Sequence, residues 1–200
     1  IYPNFGIFFE KILYYNITLL KNNHMKRTTL SNHLNAFRDE ALFMLRFQLA
    51  YNRIIKFEDL KEIGRSNFVD RILALKAIEN DLVIRICKFD DDTKGVHSFK
   101  KAQLEIEHSH PNKQKINDLI KHFSLSINRL KNERRHKKLA HLQIGEIDSE
   151  YDLKYNLTPI IKLIIEIIDL INIKKINYEW SDGAYEKFNL RSLVLEEIKN

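Results

Sequence analysis

The feature that most constrains this chain is a stripe of apolar residues, Ile116, Ile120, Phe123, Ile127 and Leu130, set at steps of four, three, four and three. That spacing returns to one side of an α-helix at every turn and to neither side of a strand, so it marks a helix with a single buried face. Continued in the same rhythm, the stripe lands on Arg134 and later on His141. The face that starts as core therefore ends cationic and titratable, which a helix with a purely structural job has little reason to do.

Composition extends the helical reading to the rest of the chain. Five glycines and three prolines in 200 residues are too few for an architecture of many tight turns. A helix is expected over about 35–55, with Phe37, Leu42, Met44, Leu45, Phe47 and Leu49 on a broad apolar face. A second is expected over about 67–88, where Asn67 and Asp70 have capping-box spacing and the stripe is Phe68, Ile72, Leu75, Leu82 and Ile86. Residues 90–95 read as a solvated turn, and 98–107 as a shorter helix. Pro111 is expected at the first position of the striped helix. Thr158 and Pro159 read as the N-cap and first turn of a nearly all-apolar helix running to about residue 173, and residues 184–198 as an amphipathic helix after the Ser181, Asp182, Gly183 turn.

The fold class implied is all-α. Residues 31–200 read as one helical domain, preceded by residues 1–30 as an extension or a first helix. The first 24 residues lack the basic start and small-residue cleavage site of a secretory signal, and Met25, before Lys26 and Arg27, offers an alternative start. The apolar run over 160–173 is interrupted by Lys162, Glu166 and Asp169 and falls short of the roughly 20 residues a bilayer needs. No membrane span is expected. A helix so apolar must be buried, by neighbours or by a second copy of the chain. Cys87 is the single cysteine, so neither an internal disulfide nor a cysteine metal cluster is available, which fits a cytoplasmic location.

Net charge is +6, which permits polyanion binding. Its distribution is more telling. From 112 to 141, Lys113, Lys115, Lys121, Arg129, Lys131, Arg134, Arg135, Lys137 and Lys138 face only Asp118 and Glu133, nine cations against two anions. One segment thus carries the chain's whole positive excess.

Within it, the run Arg134, Arg135, His136, Lys137, Lys138, Leu139, Ala140, His141 resembles the signature of the HEPN superfamily: an arginine, a polar residue beside it, and a histidine after four to six intervening residues. Arg135, His136 and His141 match that pattern. Residues 82–104, a helix, an acidic turn, Ser98 and another helix, further resemble an abortive-infection subfamily of HEPN proteins. The resemblance implies an up-and-down helical bundle that pairs as a symmetric homodimer and brings two motifs into one RNA-cleaving cleft. It implies a metal-independent endoribonuclease of toxin or phage-defence type, with an antitoxin protein as a possible partner and products ending in a 2',3'-cyclic phosphate and a 5'-hydroxyl. Catalytic roles fall on Arg135, His136 and His141, and phosphate binding on Arg134, Lys137, Lys138 and Lys131.

The residue chemistry suits that implication. RNA supplies its own nucleophile, the 2'-hydroxyl, so the protein needs a proton acceptor, a proton donor and a cation for the phosphorane charge. Histidine titrates near neutral pH. Arginine grips two phosphate oxygens as a fork, which lysine cannot. No cofactor or metal is called for. On a straight helix Arg135 and His141 point about 120° apart whereas Arg134 and His141 nearly align; Arg135 is preferred because His136 supplies the polar neighbour.

Plainer readings compete with these. Cations favour a helix C-terminus for electrostatic reasons alone, and His141 fits a core histidine bonded to a carbonyl. His108 and His110, beside Pro111, read as a capping loop rather than metal ligands. The acidic turn lacks the glutamate of a calcium loop. The main functional alternative is a non-catalytic HEPN binding module or scaffold; DNA binding finds no helix-turn-helix pattern.

Overall fold

The computed structural model of the chain describes residues 29–55, 64–132, 156–182 and 186–195. Among them are six α-helices and one antiparallel hairpin: α1 Leu30–Ile55, α2 Arg65–Lys88, α3 Phe99–Glu105, α4 Lys113–Arg129, α5 Thr158–Asn172, β1 Glu179–Asp182, β2 Glu186–Asn189 and α6 Leu190–Leu195. The fold is mainly helical, and no described helix is long and apolar enough to cross a membrane.

The five-residue stripe is the buried face of α4: Ile116, Ile120, Phe123, Ile127 and Leu130 are each at most 3% exposed. This face packs on α5, whose Ile161, Ile164, Ile165, Ile167, Ile168 and Ile171 are buried, and α5 in turn lies against α1. The two helices run antiparallel. The start of α4 meets the end of α5, where His110 Nε2 lies 3.2 Å from the Ile171 carbonyl and Lys115 pairs with Glu166 at 2.9 Å. Neighbours within the chain thus cover α5, so its apolar character supplies no argument for a second copy.

Helices α1 and α2 form the other antiparallel pair. Arg85 joins them, with Nη1 on Glu40 at 2.9 Å, Nε on Asp81 at 2.5 Å, and its guanidinium over the rings of Phe43 and Phe47. The first half of α2 is largely solvent-facing, and Phe68, expected in its stripe, is 38% exposed. The helix also starts earlier than its expected capping box, at Arg65, with Gly64 at the N-cap. Pro111 sits in the turn before α4, with Asn112 at the N-cap. Thr158, expected as the N-cap, is instead the first residue of α5, with Leu157 at the N-cap, and its N–H donates to Asn156 Oδ1 at 3.2 Å just outside the helix.

The one element among the described residues that is not helical is the short hairpin near the C-terminal end. Period 3.6 predicts a helix over 184–198, yet the residues leading into it alternate: Tyr178 is buried, Glu179 exposed, Trp180 half-buried and Ser181 exposed. Aromatic residues at period two suit a strand whose one face lies on helices. Trp180 pairs across the hairpin with Phe188, packs against Phe43 at 6.2 Å and lies under Arg46 at 5.6 Å. The helical period resumes only at Leu190, where Asn189 Oδ1 accepts the Arg191 N–H at 3.0 Å.

Candidate functional site

Helix α4 carries the chain to the Arg/His motif. Its continuation through residues 130–132 is π-helical, and Arg134, Arg135, His136, Lys137, Lys138 and His141 lie outside the described residues. What the structure supplies is the platform from which that segment departs.

Lys131, expected to bind RNA phosphate, is tied to Asp90. Its Nζ donates to Asp90 Oδ2 at 2.8 Å and to the Asp90 carbonyl at 3.1 Å. Ser124, about two turns back on α4, donates its hydroxyl to Oδ1 at 2.5 Å, and Lys100 of α3 stands 3.4 Å from the same oxygen. The Asp90 carboxylate is only 6% exposed. Burial pushes its pKa up, but the hydrogen bonds from Lys131 and Ser124 and the charges of Lys131 and Lys100 outweigh this and hold it below the usual carboxylate range. Lys100 gains in return: burial works against its charge, yet Asp92 and Asp90 lift its pKa above the ordinary value.

The acidic run is therefore not uniformly a solvated turn. Asp92, Thr93, Lys94 and Gly95 are exposed as expected, with Gly95 at φ +85°, but Asp90 is turned into the protein. The missed signal was present: Glu79, Val83 and Ile86 lie on the buried face of α2, and the next step of four reaches Asp90.

The basic segment is also less open than its charge count suggests. Besides Lys131, Lys113 donates to the Ile106 carbonyl at 2.9 Å and Lys115 pairs with Glu166; Lys121 is exposed. His110 holds a capping loop: Nδ1 accepts the Asn112 N–H at 3.2 Å, which leaves Nε2–H to donate to the Ile171 carbonyl. Among the described residues no three His, Cys, Asp or Glu side chains are arranged to hold a metal.

Two further polar features were not singled out from the sequence. His33, 2% exposed, lies Nδ1 to Nδ1 with His97 at 3.1 Å, the rings edge-on at 4.8 Å. Burial first, then the charges of His97 and Lys101, depress the His33 pKa against an opposing pull from Glu105; burial and Lys101 depress that of His97. His33 belongs to the buried face of α1, four residues before Phe37, and was hidden by starting that helix at residue 35. A groove of about 610 Å³ between α1 and the lead into β1 is lined by Asn35, Arg38, Asp39, Asn177 and Tyr178. Tyr178 is 1% exposed and its hydroxyl has no hydrogen-bond partner among the described residues; burial and the charge of Asp169 push its pKa up.

Comparison with protein-family models, with curated proteins and with solved structures finds no match to this chain.

Proposed function

We propose that the protein is a metal-independent endoribonuclease of HEPN type, with Arg135, His136 and His141 as its catalytic set. The observation that carries the reading is the placement of the motif: it follows directly on α4, a helix anchored by five buried residues in a mainly helical chain. Arg135 is chosen over Arg134 because His136 supplies the polar neighbour of the motif.

In the proposed reaction His141 accepts the proton of the 2'-hydroxyl, O2' attacks the adjacent phosphorus, and the 5'-oxygen leaves with a proton from His136 or a second copy's histidine. Arg135 holds the phosphorane oxygens as a fork. The products are a 2',3'-cyclic phosphate and a 5'-hydroxyl. A symmetric homodimer in the cytoplasm, restrained by an antitoxin protein, completes the proposal, with Arg134, Lys137 and Lys138 binding phosphates. Lys131 joins them only by leaving Asp90.

The test is incubation of the purified protein with mixed RNA in EDTA, with end-group analysis of the fragments. Cleavage should leave cyclic phosphates, and His141→Ala should lower the rate by roughly 10²-fold or more while circular dichroism stays unchanged. Arg135→Lys should rescue Arg135→Ala only in part. If Arg134→Ala abolishes cleavage and Arg135→Ala does not, the arginine assignment is off by one. Cleavage at the parental rate by the two arginine variants and by His141→Ala alike would remove the nuclease reading and leave a non-catalytic binding module.

A further inference from the structure

Burying a carboxylate is strongly unfavourable unless hydrogen bonds and cations replace its water. Asp90 has such replacements from two other elements, Lys100 on α3 and Ser124 and Lys131 on α4. Forming the turn does not require this, because its neighbour Asp91 serves there: Asp91 Oδ1 accepts both the Thr93 N–H at 2.9 Å and the Thr93 hydroxyl at 2.6 Å. What Asp90 adds is a hold on α4. Lys131 stands within the π turn, three residues before Arg134, and Leu130 beside it is 3% exposed. The turn is thus fixed by an apolar side chain in the core and by an ammonium bonded to both the side chain and the carbonyl of Asp90.

We propose that Asp90 is a positioning residue for RNA cleavage: by clamping Lys131 it sets the place and rotation at which the chain leaves α4 toward Arg135 and His141. This rests on the ribonuclease reading. A residue of helix rotation is 100°, and misplacing catalytic groups by about 1 Å costs on the order of 10²-fold in rate, so loss of the clamp is expected in kcat rather than in KM.

Asp90→Asn is the deciding variant, since it keeps shape and can still accept from Ser124 but removes the negative charge that draws the Lys131 ammonium to the side chain, leaving the backbone carbonyl as its chief anchor. Hydrogen exchange should quicken at the amides of residues 130–132, and kcat should fall roughly 10-fold or more with KM nearly constant. Ser124→Ala, which removes a bond to the same carboxylate and leaves Lys131 in place, should slow cleavage far less. Should Asp90→Asn fail to fold, Lys131→Gln releases the same tie from its more exposed side and is read by the same exchange. Unchanged exchange at 130–132 overturns the proposal whether or not RNA is cut. Quickened exchange with unchanged kcat also overturns it. A lowered KM with unchanged kcat would show instead that Asp90 merely sequesters a phosphate ligand. If the parent itself cuts no RNA, the ribonuclease reading fails, and the exchange result alone then decides whether Asp90 fixes the end of α4.

Discussion

Asp90 and the pair of buried His33 with half-buried His97 both lie beside a cluster of rings, Phe37, Phe89, Phe99 and Phe123, whose neighbours stand 5.0–5.6 Å apart. Asp90 directly follows Phe89, and His33 lies 5.9 Å from Phe37. They meet the demands of burial in opposite ways. Asp90 keeps its charge, because a hydroxyl and two ammonium groups stand where water would. The histidines give theirs up, because neutral imidazoles can donate and accept between themselves while two imidazolium rings would present two donors to each other. A site that keeps its charge is vulnerable to loss of a partner; a site that stays neutral is vulnerable to a proton.

The largest expected effect follows from the first half of that contrast. Asp90→Ala takes the carboxylate away from Ser124, Lys100 and Lys131, leaving Lys131 only the backbone carbonyl, and the loss should be about 2–3 kcal/mol, held below the full cost of breaking a buried pair by the partial exposure of both lysines. For a chain of this size that lowers Tm by roughly 4–12 °C. His97→Gln, which can still offer His33 a hydrogen bond, should cost about 1 kcal/mol or less at pH 7.5. Equal losses in the two variants, measured by urea denaturation, would erase the distinction between the sites.

The same contrast explains what could be read from the sequence. The helices α1, α2, α4 and α5 are legible because each spends several turns showing an apolar face to the core, and a period repeated that often is hard to mistake. Residues that interrupt the pattern were harder. Asp90 and His33 each occupy a stripe position with a polar side chain, and a stripe drawn from apolar residues alone passes over them. Trp180 and Phe188 belong to strands too short to display many periods, so the helical period claims the second strand, Glu186–Asn189, for the helix over 184–198. The motif of residues 134–141 stood out for the opposite reason, as a dense run of one chemistry, but what anchors its approach is long-range: Asp90 and Lys131 are 41 positions apart. No local pattern announces that pair.

Acidification separates the two buried sites by pH. The His33 and His97 pKa values lie below the ordinary 6.5 in the folded protein, so between 6.5 and those lower values the unfolded chain binds more protons. Stability therefore falls as pH drops through 6.5 and levels off once the folded pair has titrated. Lys101 deepens the effect on both rings, and Glu105 opposes it at His33. The contribution of Asp90, whose pKa is lowered from 3.8, is complete above that value and fades only below it. Between pH 7 and 5 the parent should lose stability that a His33→Gln, His97→Gln double variant does not. Parallel pH profiles from urea denaturation of the two proteins would mean that the folded pair binds protons over the same pH range as the unfolded chain, so that burial does not perturb it.

The smallest effect belongs to a helix end that uses neither device. Helix α5 closes at Ile173, which takes φ 64°, the left-handed region, with its side chain 60% exposed. The carbonyls just before it are served from elsewhere: Ile171 by His110 and Leu170 by the Asn112 amide at 3.4 Å. What remains at Ile173 is backbone strain, about 1–2 kcal/mol for an L-residue and most awkward for a β-branched one. Glycine removes that strain but adds freedom to the unfolded chain, so the two terms partly cancel. Asparagine tolerates the conformation without that entropic loss. Ile173→Asn should therefore stabilise by about 0.5–1 kcal/mol and Ile173→Gly by less, both independent of pH from 5 to 7 because no titrating group is touched. Were both variants to destabilise, the exposed isoleucine would be contributing more by contact than its backbone costs, and this end of α5 would have to be counted among the side-chain-anchored ones, alongside the end of α4.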